Sequence, residues 1–134
     1  MSTIPTRIQR SRAKGSTTPA NTKYCGRPGK WGNPFCAVQT VKNPDRFVVF
    51  VIVAQGGLRA LCQGIKDQHG PGVFNPKQEA QAHAAFLFGK LMDVAPGQYP
   101  VHELSQYTHL SCWCAIDAPC HVDEIIKRIK NQQP

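Results

Sequence analysis

One short segment near the end of the chain constrains the fold more than any other. Residues 110–123 run Leu-Ser-Cys-Trp-Cys-Ala-Ile-Asp-Ala-Pro-Cys-His-Val-Asp and hold three of the six cysteines in 134 residues. The pattern predicts the end of a buried strand, a five-residue connection and a helix that starts at Pro119. A strand that leads through a short loop into a helix is typical of α/β proteins, which often bind ligands at this point.

The remaining pattern is consistent with a small α/β domain. Residues 46–54 form a continuous apolar run, which predicts a central strand buried on both faces. Residues 58–66 fit either a short helix or the return strand of a hairpin. Asn75 and Pro76 predict the cap and first position of a helix. Apolar stripes mark this helix and the last one, at Ala84, Leu87, Phe88 and Leu91 and at Val122, Ile125, Ile126 and Ile129. We therefore expect a small three-layer or mixed-sheet single domain.

The first third of the chain carries the whole net charge. Residues 1–44 contain eight basic residues and no acidic one, whereas the other 90 residues contain eight of each sign. Residues 1–21 hold little to bury, so we expect a basic extended arm there and a single α/β domain over residues 22–134. We expect the basic residues of this arm to contact phosphates, namely Arg7, Arg10, Arg12 and Lys14. A solvated tail that favours solubility is the alternative.

Composition also predicts a compartment. No stretch approaches the ~20 apolar residues of a membrane helix, and the N-terminus lacks the apolar core of a signal peptide. We expect a cytoplasmic protein without a membrane partner. Cysteines clustered in a reducing compartment more often bind metal or catalyse a reaction than form disulfides.

Three interpretations of the clustered cysteines remain open on sequence alone. In the first, Cys112, Cys114, Cys120 and His121 bind a structural zinc ion. The spacing is less typical than paired C-x-x-C motifs, because an extended C-x-C segment holds its two sulfurs apart. In the second, the cysteines simply pack in the core, as cysteine often does.

The third interpretation is a reactive or anion-binding pocket. Cys120 at a helix N-terminus would have a lowered thiol pKa and act as the nucleophile. His121 would act as acid or base, and Asp123 would orient an imidazole or a substrate hydroxyl. The helix end would hold a phosphate or carboxylate.

A second unusual segment, residues 26–35, is rich in glycine and proline and predicts a specific loop. Arg27 and Lys30 suit a phosphate group, Trp31 could stack on a base, and Asn33 could bind a base edge. The alternative is that Trp31 and Phe35 anchor the loop to the core.

Five motifs occur in order at residues 7–15, 19–22, 26–35, 111–114 and 119–123. In this arrangement the chain resembles a family of small phage and bacterial proteins of unknown function that share an Ala-Cys-Trp-Cys motif and a Gly-Arg-Pro-x-Lys-Trp-Gly-Asn-Pro-Phe loop. Ser111 stands where the motif has alanine, and Cys25 stands where such proteins tend to have an aliphatic residue. The resemblance implies a phage or prophage setting and one site built from the two ends of the chain.

Two function hypotheses follow. In the first, the loop and the Cys-His helix start form a pocket for a nucleotide or nucleic acid, with catalysis through Cys120 and His121. In the second, the chain is a non-catalytic module that binds nucleic acid or a protein partner and contains a structural zinc site. A phage protein that inhibits a host factor is a third class compatible with the size and charge.

Overall fold

Two small sheets, three α-helices and one 3-10 helix make up the fold over the residues that the structure describes. The computed structural model describes residues 4–27, 29–52, 56–69, 72–74 and 77–132. In chain order the elements are β1 (Thr6–Gln9), β2 (Thr22–Tyr24), β3 (Phe35–Gln39), β4 (Phe47–Val51), α1 (Gly56–Gln68), α2 (Lys77–Val94), a 3-10 helix (Val101–Gln106), β5 (His109–Cys112) and α3 (His121–Asn131). None of the described helices combines the length and hydropathy needed to cross a membrane.

The strand predicted from the cysteine-rich segment, β5, is the centre of a three-stranded parallel sheet. It pairs with β1 on one side and with β2 on the other, in the order β1-β5-β2. Leu110, Ser111 and Cys112 are all buried, as expected for a central parallel strand. A second, antiparallel sheet contains β3 and β4. The prediction of an α/β domain with mixed strand directions is therefore confirmed.

The predicted N-terminal arm needs correction over residues 6–9. These residues form β1, whose register places Arg7 opposite Leu110 and Gln9 opposite Cys112. Pairing with the buried central strand satisfies their backbone groups, although the sequence Thr-Arg-Ile-Gln offers little apolar surface. Residues 10–21 contain no helix or strand and are exposed.

The prediction of a central strand over residues 46–54 is wrong. Strand β4 belongs to the two-stranded sheet, where its paired neighbour is β3. Val49 faces the core, whereas Phe50 is 49% exposed. A strand in a ribbon of this kind buries one face only, so an apolar run does not by itself prove a central position. Residues 53 and 54 lie outside the described part of the chain.

The observed helices agree better with the predictions made from the sequence. Residues 58–66 belong to α1, which settles the choice between helix and strand. The stripe of α2 is buried as predicted, and α3 buries Val122, Ile125 and Ile129 while Ile126 is partly buried. Helix α3 begins at His121, two residues after the predicted start. The predicted cap at Asn75 and Pro76 lies outside the described residues.

Candidate metal centre

The three parallel strands end at one edge of their sheet, and the predicted site residues gather there. Arg10, Cys25 and Trp113 directly follow β1, β2 and β5. The register places these strand ends side by side, and α3 begins at the same edge. The carboxyl edge of a parallel sheet is the usual place for a ligand in α/β proteins.

Three cysteine sulfurs lie together at this edge. The Sγ atoms of Cys112, Cys114 and Cys120 are all within 4.8 Å of one another, and those of Cys112 and Cys120 are 3.0 Å apart. Cys112 ends β5 and Cys120 is the N-cap residue of α3. Because β5 ends at Cys112, the chain bends before Cys114 and brings its sulfur back. The expected separation of sulfurs in an extended C-x-C segment therefore does not occur, and these three cysteines could bind a metal ion.

His121 presents one ring nitrogen to this cluster. Its Nε2 lies 2.6 Å from the carbonyl oxygen of Cys25, which can only accept a hydrogen bond, so Nε2 carries the proton. Burial lowers the pKa of His121 and keeps the ring neutral. Nδ1 therefore carries the lone pair, and it faces the Cys120 sulfur at 3.7 Å, within hydrogen-bond distance of that thiol. Histidines that bind metals typically donate their other ring N–H to a carbonyl group in this way.

The thiols influence one another's ionisation. The pKa of Cys114 is lowered because the Cys112 and Cys120 thiols donate hydrogen bonds to its sulfur, and the charge of Arg7 adds to this effect. The pKa of Cys112 is raised mainly by its hydrogen bond with Cys114, and that of Cys120 mainly by its hydrogen bond with Cys112. These shifts favour ionisation of the Cys114 sulfur before those of Cys112 and Cys120. A thiolate is the form of cysteine that binds metals or acts as a nucleophile.

Arg7 holds the turn that carries Cys114. Its guanidinium group donates hydrogen bonds to the carbonyl oxygens of Ala115 and Ala118, the latter at 2.9 Å, and forms a 2.7 Å ion pair with Asp123. The Arg7 side chain is only 8% exposed, so it is an internal clamp rather than the predicted phosphate contact. Asp123, predicted to orient an imidazole, pairs with Arg7 instead.

The glycine-rich loop is anchored inside the protein, which is the alternative that the sequence left open for Trp31 and Phe35. Trp31 is 5% exposed, and its ring packs edge-on against Tyr99 at 5.7 Å. Asn33 donates to the Ala84 carbonyl at 3.1 Å and accepts from the Phe35 backbone N–H at 2.9 Å. Trp31 and Asn33 are therefore corrected from base contacts to residues that anchor the loop, because their polar and aromatic groups are already used inside the protein.

The other predicted basic residues remain at the surface. Arg27 donates a 3.1 Å hydrogen bond to the Asn33 carbonyl, and the Lys30 ammonium lies 5.6 Å from the centre of the Trp31 ring. Arg10, Arg12 and Lys14 are exposed. Of the predicted phosphate contacts, these five keep side chains that a ligand could reach.

A cavity of about 300 Å³ joins the loop to the cysteine cluster. Its walls contain Arg27 and Asn33 from the loop and Cys112, Cys114, Cys120 and His121 from the cluster. The structure therefore brings the two ends of the chain to one place. Sequence reasoning missed other wall residues, among them Tyr24, Cys36 and Trp113. For Trp113 a signal existed, since it lies between two cysteines that turn inward.

A family model described as a domain of unknown function, DUF4326, matches residues 8–131. The chain belongs to this family. The match agrees with the resemblance to small domains of unknown function, and the DUF4326 model spans both halves of the site, from β1 to α3. No curated protein and no solved structure matches the chain.

Proposed function

We propose that this DUF4326 domain is a zinc-binding domain, in which Cys112, Cys114 and Cys120 supply three thiolate ligands and His121 Nδ1 supplies the fourth. The observation that carries the proposal is the approach of the three sulfurs to within 4.8 Å of one another. Thiolate and imidazole together are the ligand set that zinc prefers in closed structural sites.

The distances around the cluster suit three thiolate ligands, and tetrahedral coordination would require the His121 ring to move inward, because its ring nitrogen is not within 4.8 Å of all three sulfurs. Zinc–sulfur bonds of ~2.3 Å and zinc–nitrogen bonds of ~2.0 Å imply ligand separations of about 3.8 Å between sulfurs and about 3.5 Å between sulfur and nitrogen. The Cys120 sulfur and His121 Nδ1 are 3.7 Å apart. The Cys112 and Cys120 sulfurs, at 3.0 Å, would have to separate slightly, which a small rotation of either side chain achieves.

The metal would have a structural role. It would tie the end of β5, the turn after it and the start of α3 to one point. A bound metal adds folding free energy directly.

Metal analysis of protein purified without a histidine tag tests the proposal. We expect about one zinc per chain. Replacing Cys112, Cys114 or Cys120 with serine should remove it, while Cys36→Ser, which alters a thiol of the same cavity outside the cluster, should retain it. Absence of zinc from the wild type, or zinc retained by all three cluster variants, would refute the proposal. Absorption of the Co²⁺-substituted protein then reports the number of thiolate ligands independently of stability.

A second candidate function is nucleotide binding in the cavity, favoured by the position of Arg27 in the same wall as the thiols. In a catalytic form the nucleophile would be Cys114 rather than the predicted Cys120, whose pKa is raised and which is 3% exposed. Titration with nucleoside phosphates followed calorimetrically, with Arg27→Ala as the weakened variant, tests this function. No heat of binding with any nucleoside phosphate would exclude it.

A further inference from the structure

Beside the thiol cluster, aromatic rings alternate with guanidinium groups across the surface. The Arg10 guanidinium carbon lies 4.8 Å from the centre of the Tyr24 ring and 5.4 Å from that of Trp113. Arg12 lies 4.6 Å from the Trp113 ring. We call Tyr24, Arg10, Trp113 and Arg12 the aromatic–arginine ladder.

The parallel sheet positions this ladder. Tyr24 ends β2, Arg10 follows β1 and Trp113 follows β5, so three adjacent strand ends supply three neighbouring side chains. Tyr24 is further held by its hydroxyl group, which donates a 3.0 Å hydrogen bond to the Arg27 carbonyl. Trp113 remains 41% exposed, although its neighbours on both sides are cysteines that turn inward.

The charges of the ladder are not neutralised within the described residues. Neither Arg10 nor Arg12 has a carboxylate within ion-pair distance across residues 4–27, 29–52, 56–69, 72–74 and 77–132. The nearby carboxylate of Asp123 is occupied by Arg7. Lys14 adds a further exposed charge, and residues 1–44 contain no acidic residue. The surface is therefore complementary to a polyanion.

We propose that the ladder binds single-stranded nucleic acid. Unpaired bases would stack on the Trp113 and Tyr24 rings or on the guanidinium planes, while Arg10, Arg12 and Lys14 contact phosphates. The long Arg12 side chain gives up its place over Trp113 to an incoming base. Bases of a duplex are stacked on each other and cannot use exposed rings, so a single strand fits this surface better. The proposal goes beyond the metal site and does not require metal to be bound.

Fluorescence anisotropy with labelled single-stranded DNA and RNA of about a dozen nucleotides, a typical length for such sites, tests the proposal. We expect binding to a single strand that exceeds binding to a duplex of equal length. Trp113→Ala should weaken binding at least about fivefold, the lower limit for one stacked base. Arg12→Ala should lower the slope of log affinity against log salt by about 0.7, the value for one phosphate contact on a single strand.

Two matched variants control for the loss of an exposed aromatic ring and of a positive charge at other places on the surface. Phe50→Ala removes another half-exposed aromatic ring, and Lys130→Ala removes a cation in the last turn of α3, roughly 13 Å along the helix from its start. Both should bind as the wild type does. Absence of binding, equal binding to duplex and single strand, or an unchanged affinity of Trp113→Ala would each overturn the proposal. Because Trp113 is exposed, its variant should melt near the wild-type temperature, and Trp113→Phe should retain part of the affinity.

Discussion

Replacement of Arg7 with methionine gives the most direct measure of how the site is held together. Arg7 donates to the Ala115 and Ala118 carbonyls and pairs with Asp123. Methionine keeps most of the apolar stem, so the substitution removes the polar contacts while leaving the packing of β1 largely intact. The turn that carries Cys114 would then lose its attachment to the sheet.

The structure allows a magnitude for this loss. Hydrogen bonds from a charged donor contribute about 1.5–3 kcal/mol each. The Ala115 carbonyl belongs to an exposed residue and can be hydrated after the change, which favours the lower value. The buried Nε–H group of Arg7 has no hydrogen-bond partner among the described residues. The cost of burying this donor offsets part of the stabilisation that the other Arg7 hydrogen bonds provide. We therefore expect Arg7→Met to lower the free energy of unfolding by about 2–3 kcal/mol.

The variant Asp123→Asn separates the ion pair from the carbonyl contacts. Asp123 is 52% exposed, so its pair with Arg7 is screened by water and should contribute about 0.5 kcal/mol. Urea denaturation of the two variants and the wild type measures both values. An equal loss in the two variants, or a loss of less than about 1 kcal/mol in Arg7→Met, would refute the clamp. Arg7→Met should also leave the salt dependence of nucleic-acid binding unchanged, because a clamped guanidinium does not contact phosphate.

Three further predictions follow from separate features. Gly32→Ala should lower the unfolding free energy by about 1–3 kcal/mol in urea denaturation, because its Cβ would lie 2.8 Å from the Arg27 backbone; a neutral result would contradict the tight loop. The pKa of His83 is lowered by burial and by His69, so the unfolded chain takes up the proton first and stability falls as pH drops below about 6.5. Thermal melts should show that the melting temperature of His83→Phe falls less at low pH than that of the wild type. An identical fall in the two proteins would refute this cause. In metal-free protein, peroxide should first oxidise Cys114, whose pKa is lowered, and Cys112 or Cys120 should then close a disulfide with it, since the three sulfurs lie within 4.8 Å of one another; Cys62, whose pKa burial raises to about 11, should be spared. Differential alkylation with mass spectrometry identifies the pair, and a different pairing would contradict the geometry.

The parts of the fold that sequence predicted well depend on short-range patterns. The stripes of α2 and α3 repeat every three or four residues, and helices form from contacts over that range. The convergence of Cys112 and Cys120 was also predictable, because a strand, a short connection and a helix start leave few places for their side chains. Strand pairing is different, since the partner of β1 lies about a hundred residues away. Nothing in residues 6–9 alone distinguishes a strand from an arm.

The two tryptophans show why the site itself was harder to predict. Trp31 lies among basic residues, where the sequence fits either base stacking or anchoring of the loop, and it is buried against Tyr99. Trp113 lies among cysteines next to a buried strand, yet it is exposed between two arginines. Local composition shows only which residues are neighbours along the chain. Burial depends on which other strands and helices a residue packs against in the folded protein.

Strand β1 also buries residues differently from what its sequence suggests. It buries Arg7 while its apolar neighbour Ile8 is only partly buried, which is the opposite of the alternation expected for a half-buried strand. A buried arginine is costly unless its donors are used, and here they hold the turn beside three thiols. Trp113 in turn is 41% exposed, with the Arg10 and Arg12 guanidinium groups against its ring. Both exceptions lie at the same strand edge, and departures from the usual pattern concentrate at functional sites because function rather than stability selects the residues there.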